Sequence, residues 1–101
     1  MTLGQQQDEI AKVVADYFDK YALDCIPVDV VIKERDHIIY IGTTILCTKW
    51  EVGYLGGDFA SAIVNNNLSE AFGRADHINV HCIRFYLTLM YNVGMPTILL
   101  Q

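Results

Sequence analysis

The stretch VDVVIKERDHIIYIGTTILCTKWEV, residues 28–52, decides the fold class that the sequence suggests. Val28, Val30 and Ile32 alternate with Asp29, Val31 and Lys33, and the polar run Glu34-Arg35-Asp36-His37 separates them from Ile38-Ile39-Tyr40-Ile41. Alternation followed by a polar turn and a β-branched run is the pattern of an antiparallel hairpin. Gly42 interrupts the apolar run, and residues 43–52 add Thr44, Ile45, Thr48, Trp50 and Val52, side chains that favour a third strand. Three strands suffice for a sheet with one buried face.

Helical patterns flank this stretch. Over residues 7–21, Ile10, Val13, Val14, Tyr17, Phe18 and Tyr21 recur at i, i+3, i+4 and i+7, with Asp8, Glu9, Lys12, Asp16, Asp19 and Lys20 toward water. Pro27 closes the connection that follows. Beyond Gly53, Gly56 and Gly57, Asp58 is placed to cap a short helix that runs to the triplet Asn65-Asn66-Asn67. Asn67 and Glu70 have the spacing of a capping box at the start of the longest periodic segment, residues 68–93, which Gly94 and Pro96 terminate. The expected architecture is therefore α+β in a single domain over residues 1–101. It comprises an N-terminal helix, a three-stranded antiparallel sheet, a short helix, and a long C-terminal helix with a short apolar tail at residues 97–101.

On a helical wheel at ~100° per residue, the apolar residues of 68–93 spread over well over half the circumference, whereas a surface helix shows one stripe a little over 100° wide. A continuous helix here would be about 39 Å long against a domain diameter of ~26 Å. A second copy of the chain is the simplest cover for its extra face, so a homodimer is expected. Composition agrees, being 52% hydrophobic and 19% charged over 101 residues, more apolar than the roughly 45–50% of an average domain. The first nine residues are polar and acidic where a signal peptide would be basic and then apolar, and no stretch approaches ~20 uninterrupted apolar residues. A cytoplasmic protein without membrane association is expected. The net charge of −5 argues against a general nucleic-acid binder. Cys25, Cys47 and Cys82 are odd in number and lack CxxC spacing, which suits reduced, buried thiols.

Seven polar residues of the long segment, Glu70, Arg74, His77, His81, Arg84, Thr88 and Asn92, fall within about 80° on the wheel. Arg74, His77, His81 and Arg84 could hold a phosphate or carboxylate, with arginine supplying bidentate donors; the simpler alternative is a Glu70–Arg74 pair on a solvated face. His77 and His81 have the i, i+4 spacing at which two imidazoles reach one metal ion, though Ile78 stands where a zinc-protease glutamate would be. Asp76 and Asn79 fall inside the apolar arc and, if buried, need hydrogen-bond partners. Cys47 or Cys82 with His37 or His81 could supply pieces of a nucleophilic site, but no surrounding motif supports one. Trp50 and Tyr54, beside the turn glycines, are candidates to stack a ligand or anchor a partner, with core packing as the alternative.

Together these features lead to a non-enzymatic, homo-oligomeric binding module for a protein partner or a small anionic ligand, with no cofactor. Its size is compatible with an accessory protein of a phage or mobile element. The competing reading is a small metal-dependent enzyme or metal-binding protein using His77 and His81.

Overall fold

The computed structural model describes residues 1–53 and 56–100, and among them the chain is helical with no strand. Its elements are α1 (Leu3–Cys25), α2 (Val28–Lys33), α3 (Arg35–Trp50), α4 (Asp58–Val64), α5 (Leu68–Arg74), a 3₁₀ turn at Asn79–His81, α6 (Ile83–Asn92) and a second 3₁₀ turn at Thr97–Leu100. None of these helices is long and apolar enough to cross a membrane.

α1 begins earlier than its apolar periodicity suggested. The Thr2 hydroxyl accepts from Gln5 N, and the Gln5 side chain accepts from Thr2 N, a reciprocal capping box that satisfies two donors at the helix start. Ile10, Val14, Phe18 and Ala22 then bury one face.

The expected sheet is replaced by α2 and α3. Within 35–50 the buried residues Ile38, Gly42, Ile45 and Leu46 recur at helical spacing, so burial against α1 and α6 overrides the β preference of the side chains. The threonines fit this helix because their hydroxyls bond its own carbonyls: Thr43 to Ile39, Thr44 to Ile41 and Thr48 to Thr44, each at 2.7 Å. What read as a polar hairpin turn is the start of α3, where Arg35 makes a forked contact with Asp19 of α1 at 3.0–3.2 Å and lies over the Phe18 ring. α3 ends with Glu51 in the left-handed region (φ 55°), where Val52 N reaches back to the Cys47 carbonyl.

α1 and α3 run antiparallel: Asp19 faces Arg35 at one end, Val14 faces Gly42 in the middle, and Leu3 faces Gly53 at the other. α6 lies across both. Phe85 meets Phe18 edge-on at 5.6 Å and Tyr17 at 5.8 Å, while Tyr86 meets Phe59 of α4 at 5.7 Å. α4 ends at the asparagine triplet as expected: Asn66 takes a left-handed conformation (φ 57°) and Asn67 N donates to the Ala62 carbonyl. The Asn67 side chain then caps α5 through Glu70 N.

The single long C-terminal helix is also overturned. Ala75 is extended (ψ 135°), and the Asp76 carboxylate accepts from the backbone of Ile78 at 2.9 Å and Asn79 at 2.6 Å. Such a local side-chain bond offers the backbone an alternative to continuing the helix. Asp76 is therefore a half-exposed cap, whereas Asn79 is buried and accepts from the Tyr86 hydroxyl at 3.0 Å. α5 and α6 become separate short helices that wrap one core, and no long two-faced helix remains for a second subunit to cover. The apolar tail forms the last 3₁₀ turn, with Leu99 against the core.

A β-carbon at Gly42 would lie 2.9 Å from Val14 Cγ1 and 3.0 Å from Leu89 Cδ2. Gly42→Leu forces α1, α3 and α6 apart and is expected to lower stability by about 3 kcal/mol, read as a shift in the urea midpoint.

Candidate functional site

The structure separates the cationic stripe into three places. Arg74 closes α5 between two carboxylates, with Nε 3.2 Å from Glu70 and a terminal nitrogen 3.3 Å from Asp58. It ties α4 to α5, and its charge is matched locally. His77 and His81 are exposed and line a small pocket of about 190 Å³ with Val30, Ile78, Lys33, Asp29 and Glu34. Arg84 lies on the outward face of α6, along which Asn92 donates to the Tyr17 hydroxyl at 3.2 Å. These four residues do not converge on one point. Among the described residues no three His, Cys, Asp or Glu side chains gather as they would around a metal ion. Trp50 is half-buried and packs against the core, and Tyr54 lies outside the described residues.

A second polar group assembles where α3 meets the turn between α5 and α6. His37 Nε2 is buried without a hydrogen-bond partner, 3.7 Å from the Asp76 carboxylate. Cys82 is fully buried, and its thiol donates to the Ile78 carbonyl at 3.4 Å. Burial first, and then the Asp76 charge, push the Cys82 thiol up to about 12, and burial likewise raises Cys47. At both cysteines burial disfavours the thiolate, the form in which a thiol is nucleophilic. Tyr86 is pushed up by the same desolvation and serves as a hydrogen-bond donor to Asn79. The Asp76 bonds to Ile78 N and Asn79 N pin the turn at the centre of this group.

The surface features that remain lie on α2 and α3, read as strands, and on α1 and α5, read as helical. The outward face of α2 presents Val28 and Ile32 at i, i+4, and that of α5 presents Leu68 and Phe72 at the same spacing. Between α1 and α3 runs an open groove of about 450 Å³, lined by Gln7, Asp8 and Ala11 on one side and by Asp36, Ile39, Tyr40, Thr43, Thr44 and Cys47 on the other. Helical spacing of 28/32 and of 36/40/43/47 is present in the sequence; β-branched composition outweighed it. Comparison with protein-family models, curated proteins and solved structures finds no match to this chain.

Two outcomes test this description. In the folded protein at pH 8 a thiol reagent should label half-buried Cys25 promptly and reach Cys47 and Cys82 only after urea is added; prompt labelling of Cys82 would contradict its burial. His37→Leu removes an orphaned buried nitrogen and should leave stability unchanged or raise it by about 1 kcal/mol, whereas a loss of that size would mean that the contact with Asp76 holds the turn.

Proposed function

We propose that this chain is a non-enzymatic binding module that holds a protein partner on its outward apolar helix faces. One observation carries this reading: Val28 and Ile32 are 60% and 74% exposed on α2, and Leu68 and Phe72 are 45% and 55% exposed on α5. Single apolar residues are common on any protein surface, but two on one helix face form a ridge from which a partner can exclude water. Burying one such side chain fully is worth about 1.5–3 kcal/mol. An aromatic at this kind of position suits an interface anchor. α2 supports the reading further, because a helix of six residues is marginal alone and this one fully buries none of them.

A protein partner fits better than the small anionic ligand. Arg74 is matched by two carboxylates, and the histidines share their pocket with Asp29 and Glu34. The partner is either a second copy of this chain or a different protein, and light scattering at micromolar concentration separates the two, since a homodimer gives twice 11.4 kDa.

The combined variant Val28→Ser, Ile32→Ser, Phe72→Ser changes exposed positions and should keep stability within about 0.5 kcal/mol per site. Association, measured as self-association or as quantitative capture from host lysate, should weaken at least tenfold, about 1.4 kcal/mol. Unchanged association in a folded variant would refute the reading.

A further inference from the structure

The contact between α1 and α3 has two flanks, and they differ in what covers them. On one flank α6 closes over the helices: Leu89 and Val14 meet at Gly42, and Tyr17 meets Phe85. Asp8 lies nine residues before Tyr17, which at ~100° per residue places it on the opposite side of α1. That side borders the open groove.

The floor and rims of the groove restrict what fits. Ala11 is small, and the hydroxyls of Thr43 and Thr44 are bonded to carbonyls of their own helix, so the threonines offer methyl surface and no free donor. Tyr40 stands at the rim, 59% exposed, an aromatic of the kind that anchors interfaces. From Asp36 to Cys47 the groove follows α3 for eleven residues, about 17 Å at ~1.5 Å per residue, which is the length of three helical turns. The charged side chains lining it are Asp8 and Asp36, both acidic, in a chain of net charge −5; Arg35 lies 3.9 Å from Asp36 but is held more closely by Asp19, at 3.0 Å. An anionic second copy is repelled by this field, and a cationic segment is drawn in.

We infer that the α1/α3 groove receives a basic amphipathic helix of about three turns from a protein partner. The apolar stripe of that helix rests on Ala11, Ile39 and Thr43, and its lysines or arginines face Asp8 and Asp36. The inference rests on the reading of the chain as a binding module and adds the chemistry of the partner.

The test uses a 14-residue leucine–lysine amphipathic peptide and its leucine–glutamate counterpart, each titrated into the full-length ¹⁵N-labelled protein. The leucine–lysine peptide should bind saturably, moving amide signals of the groove residues first, and the leucine–glutamate peptide should leave them unmoved. The folded variant Asp8→Asn, Asp36→Asn, Tyr40→Ala should weaken binding at least tenfold. The inference is overturned by shifts scattered over the whole acidic surface, by equal binding of both peptides, by binding unaffected in the variant, or by no binding. It is also overturned if the groove signals shift with protein concentration alone, since a second copy then occupies the groove. Should any of these occur while the triple serine variant on α2 and α5 still loses association, the groove assignment fails and the binding-module reading stands.

Discussion

At Gly42 the backbone of α3 meets Val14 of α1 and Leu89 of α6 with no room for a β-carbon. Three helices converge there, and the remaining structure is arranged around that contact. Close approach lets Phe18 and Phe85 meet edge-on, and Phe85 in turn lies beside Tyr86, which carries the packing through to Phe59 on α4. It also fixes the antiparallel pairing of α1 with α3, so that Arg35 reaches Asp19 at one end and the groove opens along the free flank. The same glycine, met in sequence, looked like the interruption of a strand. Its role depends on two residues distant in the chain, and a local reading has no access to them.

Parts of the fold were legible because local chemistry alone determines them. The apolar periodicity of α1, the asparagine cap of α5 and the stop of α4 at the asparagine triplet depend on neighbours within one or two turns. α3 was misread because Ile38, Ile39, Ile41, Thr43, Thr44 and Ile45 favour strands intrinsically, and the helix prevails only through burial. Threonine hydroxyls bonded within the helix reduce the cost of that choice. The long C-terminal helix failed for the opposite reason. Its apolar content was continuous, but one aspartate at position 76 competes for the backbone donors that continuation needs.

The candidate site moved for the same reason. A stripe defined on one wheel exists only while the helix is unbroken, and the break at Asp76 sends Arg74 toward Asp58, His77 and His81 toward α2, and Arg84 to the outside of α6. Of the two polar residues set inside the apolar arc, Asn79 is buried and bonded by Tyr86, whereas Asp76 is half-exposed and bonds the backbone. Val28 and Ile32 and the α3 side of the groove lay in stretches assigned to the sheet, where residues at i, i+4 are not neighbours on a helix face; Leu68 and Phe72 were read as helical, but as part of an apolar arc to be covered by a second subunit.

α2 has a consequence for how the molecule opens. It fully buries no residue, and it meets the core through half-buried Val30 and Val31 between Pro27 and Glu34. A segment with few buried contacts has a local opening free energy well below that of the whole domain. The pocket of His77 and His81 is walled by α2 itself, through Asp29, Val30 and Lys33, so its shape depends on α2 staying docked. A molecule that held the outward face of α2 would favour the docked arrangement and, with it, that pocket.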